Sequence, residues 1–238
     1  MIYINHEKKA IFIHIPKTGG SYIGPTLVRY YGFISYLELI TKRRPDHDIV
    51  CKTNIFKRIL TGNTTYDSSF FNKYLGLLLY CKTSEYLNVK MNMTNEKWQT
   101  YTKFCFIRHP YERALSGWKH FNKVLNKNIN FYEYINSNKF NVTDIEYGHI
   151  FMSQYQQIQN IDGTCGVNII GKFENLEDDF VIILNQIGFD KIKHISKKEN
   201  VSNTEGAKDI LLEKKSIQKL NELFHNDLEL FHYKKIII

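Results

Sequence analysis

The chain has little that would tie it to a metal, a membrane or a redox cycle. Its four cysteines, Cys51, Cys81, Cys105 and Cys165, are scattered, and no C-x-x-C pair occurs. That spacing gives neither a zinc site nor a redox dithiol. Cys105 sits within an apolar run and reads as a buried thiol, and reduced cysteines are the default of an intracellular protein. No apolar run approaches the ~20 residues that a membrane helix needs. Residues 1–10 lead straight into an apolar strand and do not read as a secretory leader, so the expected location is cytoplasmic. There is no internal repeat and no Pro/Gly/Ser-rich linker, and the 238 residues are read as one domain spanning 1–238. Basic residues outnumber acidic ones, 32 to 24, for a net charge of +8. Lysine is spread along the chain, however, and no RNA-module or zinc-finger signature accompanies it, so nucleic acid is not the expected partner.

What is present begins at Ile11-Phe12-Ile13-His14-Ile15, an apolar strand, followed by Pro16-Lys17-Thr18-Gly19-Gly20-Ser21. Pro16 cannot donate to a sheet ladder and ends the strand. Gly19 and Gly20 can adopt backbone angles closed to other residues and bring main-chain N–H groups close to a ligand. Ser21 is read as the cap of a helix over 21–31, whose first N–H groups and dipole favour an anion. Lys17 adds a point charge. The order is not that of a Walker A loop, in which the lysine follows the glycines.

A second segment answers the first. Residues 103–108 read as another buried strand, and 111–126 as a helix entered through Pro110. Arg108 ends the strand, and Ser116 lies about two turns into the helix. Arg113, inside that helix, reads as structural and paired with an acidic neighbour. Two strand ends bearing anion-binding groups predict one ligand with two separate phosphate-like groups. Further along, 168–173 reads as a third strand, 174–187 as the helix behind it, 131–138 as a short amphipathic helix and 216–233 as the last helix. Residues 48–60 and 68–80 have helix-like apolar spacing. Strands alternating with helices predict an α/β fold with a central parallel sheet flanked by helices, and ligands at the carboxyl ends of the strands.

The pair Pro16-Lys17-Thr18-Gly19-Gly20-Ser21 and Arg108-x-Pro110-x-x-Arg113-x-x-Ser116 resembles the two signature motifs of the sulfotransferases that use 3′-phosphoadenosine 5′-phosphosulfate (PAPS). The carbohydrate branch, with its heparan- and chondroitin-type enzymes and bacterial relatives, is the nearest likeness. Residues 171–180 and 220–233, the latter with Phe224, Asp227, Leu230, Phe231 and Tyr233, are similar to that branch's later segments. The resemblance implies a single P-loop-like domain, PAPS as co-substrate, no metal and a glycan as acceptor. A tyrosine or a small-molecule hydroxyl is the alternative acceptor, and a P-loop kinase the remoter alternative function.

By the resemblance, Pro16, Lys17, Thr18, Gly19, Gly20, Ser21 and Tyr22 would hold the 5′-phosphosulfate. Lys17 would lie at the bridging oxygen, where charge builds in the transition state. Arg108 and Ser116 would grip the 3′-phosphate. His47 is the expected proton acceptor, because an imidazole can be neutral near pH 7. His149 and Asp48 are the alternatives, and His14 reads as a packed histidine of the first strand.

Overall fold

A computed structural model of the protein describes residues 2–35, 93–126, 128–136, 153–160, 163–190 and 213–238. The candidates His47, Asp48 and His149, and the helices expected at 48–60 and 68–80, lie outside the described residues. The strands are β1 (Ile2–Asn5), β2 (Ala10–Ile13), β3 (Ile34–Ser35), β4 (Thr102–Ile107) and β5 (Ile169–Lys172). The helices are α1 (Gly20–Tyr31), α2 (Asn95–Thr100), α3 (Pro110–Leu125), α4 (Phe131–Asn136), α5 (Leu176–Gln186), α6 (Lys214–Leu223) and α7 (His225–Leu230). A 3-10 turn over Phe173–Asn175 joins β5 to α5.

The five strands lie in the order β3-β1-β2-β4-β5. The centre is parallel: β2 runs beside β4 with Ile13 opposite Cys105, and β4 beside β5 with Ile107 opposite Lys172. This is the expected α/β architecture, with one correction. The polar-looking lead contains β1, which pairs antiparallel with β2 from Ile2↔Ile13 to Asn5↔Ala10. The turn between them needs no glycine. Asn5 Oδ1 accepts from Lys8 N at 2.7 Å, and Lys9 takes the left-handed conformation at φ 49°. The Asn5 amide also donates to Tyr31 O at 2.7 Å, which ties the hairpin to the carboxyl end of α1.

Strand side chains alternate between two faces. Ile11, Ile13, Cys105 and Ile107 face one side, where they meet Trp98 of α2 and Phe231. Phe12, Phe104 and Phe106 face the other, against Ile23 and Leu27 of α1 and Phe180 and Ile183 of α5. The Phe12 and Phe104 rings stack at 5.2 Å. A third cluster joins Tyr111, Leu115 and Phe121 of α3 to Phe131 and Tyr134 of α4, to Leu220 of α6 and Leu228 of α7, and to Phe224 between those two helices. The single helix expected over 216–233 is divided at Phe224, whose ψ of 23° departs from helical values. Among the described residues no helix is long and apolar enough to cross a membrane.

Helix α1 rests on the sheet through its glycines. A Cβ at Gly24 would overlap the Tyr3 hydroxyl, and one at Gly20 would overlap the His14 ring. In an open helix Gly→Ala stabilises by about 1 kcal/mol. Here Gly24→Ala should instead destabilise by about 1–3 kcal/mol, because the buried Tyr3 ring must move. Thermal melting followed by circular dichroism checks this, and Tyr3→Phe should restore part of the loss. A Tm at or above that of the wild type would show that Tyr3 yields freely.

Candidate active site

The first anion turn starts where β2 stops. Lys17 has φ 67° and Gly19 φ 88°, both left-handed, and Thr18 between them does not. Such alternation turns successive N–H groups toward one concave side. The Thr18 side chain is fully buried, and its hydroxyl donates to Ile15 O at 2.8 Å, which braces the turn from below. Gly19, not Ser21, occupies the cap position of α1, and its carbonyl accepts from Tyr22 N and Ile23 N at 2.9 and 3.0 Å. Ser21 is exposed within the first turn, and no side chain caps the helix. The amino end of α1 is thus open to an outside anion. Only Gly19 needs a glycine's backbone freedom. Gly20 is needed for its size, since the His14 ring occupies the space a Cβ would fill. Tyr22 packs partly against the cluster beneath the sheet.

The second turn lies beside the first, because β2 and β4 are adjacent and parallel. Arg108 is 9 % exposed. Its guanidinium carbon stands 4.4 Å above the centre of the Phe173 ring, and its Nη2 is 3.5 Å from Glu112 Oε2. Burial lowers the Arg108 pKa, and the nearby Glu112, Glu174 and Tyr233 oppose that shift. Lys17 is also lowered, first by burial and then by the charge of Arg108. The two motif cations therefore stand within electrostatic reach of one another. Among the described residues Lys17 makes no ion pair. An anion bound between them would relieve this repulsion.

Two side chains link the two turns, and a third braces the second. Arg113 is fully buried, and its Nε donates to Pro16 O at 3.1 Å, which binds α3 to the first turn. This bond gives Arg113 a structural role, as expected, with a backbone carbonyl as one of its partners. Phe173 lies beneath Arg108 and also packs on the other motif, 3.1 Å from where a Gly19 Cβ would stand. Glu174 accepts from His109 N at 2.6 Å and from the Tyr233 hydroxyl at 3.0 Å. The His109 ring lies between those of Tyr111 and Tyr233, each centroid 5.0 Å away.

Ser116 falls on the same helical face as Arg113, three residues on, and His120 continues that face one turn later. The His120 pKa is lowered by burial and by the charges of Lys17 and Lys123. Burial and the two lysines thus favour the neutral form of His120, and the Lys17 charge is among those that act on it. Sequence reasoning passed over it, although its spacing of four from Ser116 was the available signal. Phe173 was equally unmarked, and no local pattern distinguishes a platform from a core phenylalanine. Among the described residues no group of three or more His, Cys, Asp or Glu side chains is gathered to hold a metal.

No curated protein and no solved structure matches the chain. A family model described as the sulfotransferase family matches residues 1–234. That match takes in both motif turns, the platform at Phe173 and the closing helices. The chain belongs to the sulfotransferase family and is a sulfotransferase.

Proposed function

We propose that this sulfotransferase takes its sulfuryl group from PAPS and passes it to a hydroxyl of a glycan, and that residues 1–238 work as one domain. The observation that carries the donor is the pair of cations, Lys17 and Arg108, at the ends of two adjacent parallel strands. PAPS carries anionic groups at two separate positions, the 5′-phosphosulfate and the 3′-phosphate, and so fits two such ends. The glycan rests on the likeness of the motifs to the carbohydrate branch.

In this reading the turn Pro16–Ser21 and the open end of α1 receive the 5′-phosphosulfate, with Tyr22 beside it. Arg108 and Ser116 receive the 3′-phosphate. The bond between sulfur and the bridging phosphate oxygen breaks as the acceptor oxygen bonds to sulfur. Negative charge then grows on the departing phosphate, and Lys17 is the cation nearest that charge. A group that acts there contributes to rate beyond what it gives to binding. The acceptor proton leaves to a neutral base. His47 is our assignment, and His120 is the described histidine on which the Lys17 charge acts.

Calorimetry should show tight binding of the product nucleotide, adenosine 3′,5′-bisphosphate (PAP), without added metal, and far weaker binding of AMP, which lacks only the 3′-phosphate. Equal affinities would remove Arg108 and Ser116 as its ligands.

Lys17→Ala should slow transfer on the order of 10²-fold or more while PAP binding weakens much less. Single-turnover transfer at saturating PAPS measures the first and calorimetry the second. Normal turnover with weaker PAP binding would make Lys17 a ground-state clamp only.

His47→Ala should retain PAP affinity and lose transfer, and the wild-type rate should fall at acid pH as the base becomes protonated. If His120 is the base, His120→Ala loses transfer while His47→Ala does not. The acid limb then lies below the ordinary histidine value of about 6.5, because burial and two lysines favour the neutral form of that ring.

A further inference from the structure

Arg108 stands where its strand has run out of neighbours. The β4–β5 ladder ends at Ile107 opposite Lys172, and the β2–β4 ladder at Cys105 opposite Ile13. Arg108 is still buried, so its backbone N–H and C=O need partners. One side chain supplies both. Gln154 Oε1 accepts from Arg108 N at 2.9 Å, and Gln154 Nε2 donates to Arg108 O at 2.8 Å. The amide of Gln154 takes the place of a neighbouring strand's peptide group.

Gln154 is held in turn by Asp227 of α7. Asp227 Oδ2 accepts from Gln154 N at 2.7 Å and from Gln154 Nε2 at 3.3 Å. Its Oδ1 accepts from Ser153 Oγ at 2.5 Å and from Tyr155 N at 3.0 Å. Gln154 and Asp227 are both fully buried. Four donors on one carboxyl group offset the cost of burying it. The network also determines which way the amide faces. Turned over, Gln154 would aim its oxygen at the Arg108 carbonyl and at Asp227, setting acceptor against acceptor.

The arrangement acts on the backbone of a residue whose long side chain is one of the two motif cations. Arg108 is long, and a small rotation of its backbone is magnified at the guanidinium. That guanidinium has a defined seat above Phe173. We infer that Gln154, held by Asp227, is a positioning residue that sets Arg108 for the 3′-phosphate and so sets the preference for a 3′-phosphorylated nucleotide. The inference rests on the reading of Arg108 as the 3′-phosphate ligand.

The test compares the dissociation constants of PAP and AMP by calorimetry for the full chain and three variants, Gln154→Met, Asp227→Asn and Ser153→Ala. Gln154→Met keeps the volume and removes both bonds to Arg108. Asp227→Asn keeps the shape and replaces one acceptor oxygen. Ser153→Ala removes a bond to Asp227 Oδ1 and leaves the contacts of Gln154 in place. The wild type should prefer PAP. Gln154→Met and Asp227→Asn should lose roughly tenfold or more of that preference, as a misaimed ligand does, with AMP binding little changed. Ser153→Ala should lower the Tm and keep the preference. A purely structural lesion reduces the active fraction for both nucleotides alike and leaves the ratio of constants where it was. Folded Gln154→Met or Asp227→Asn protein with the wild-type ratio would overturn the inference. If one of the two does not fold, the other decides. A wild type that does not distinguish PAP from AMP would fail the Arg108 reading itself, which is a different result.

Discussion

Two cations brought within reach of one another before any anion is bound are a cost, and much of this structure serves to sustain it. Lys17 and Arg108 each have a lowered pKa, and Arg108 contributes to the shift on Lys17. Left alone, such side chains would swing apart into water. Here their backbones are held. Lys17 is fixed in a left-handed conformation between Pro16, bound by Arg113, and Thr18, bound to Ile15. Arg108 is pinned at its backbone by Gln154 and at its guanidinium by Phe173. The repulsion that remains is an electrostatic preference for an anion, present before the ligand arrives.

These braces come from distant parts of the chain and meet at one edge of the sheet. Parallel pairing of β2, β4 and β5 sends three strand ends in the same direction, and each delivers one component: Lys17, Arg108 and Phe173. The late helices provide another. The division at Phe224 separates α6 from α7, and α7 carries Asp227 into the core, where it gathers residues 153–155. Helix α1 needs close contact with the sheet to present its uncapped end, and Gly20 and Gly24 permit that contact against His14 and Tyr3.

Much of this was legible from local pattern. The strands and helices of both motifs have apolar runs of the right length followed by turn residues, and they appear within one or two residues of where the pattern puts them. Strand β1 was missed because its hairpin turn, Asn5 to Lys9, contains no glycine, only an asparagine side chain and a left-handed lysine. Ser21 was misread as a cap because serine suits that position, but the left-handed Gly19 starts the helix earlier. Gly20 was assigned the wrong virtue, backbone freedom, when its neighbour His14 demands smallness. His47, the base chosen from sequence, lies outside the described residues, while His120 was overlooked on a helix already in view.

By itself the sequence determined that two turns rich in glycine, proline and cations exist, each between an apolar strand and a helix, and that strands alternate with helices. Those are properties of neighbouring residues, set by side-chain period, proline and glycine. Tertiary structure alone decided which groups support the turns. Arg113 finds Pro16 across 97 positions, Gln154 finds Arg108 across 46, and Asp227 finds Gln154 across 73. A buried polar group takes whichever partner the packed chain brings to it, and no spacing along the chain records that choice.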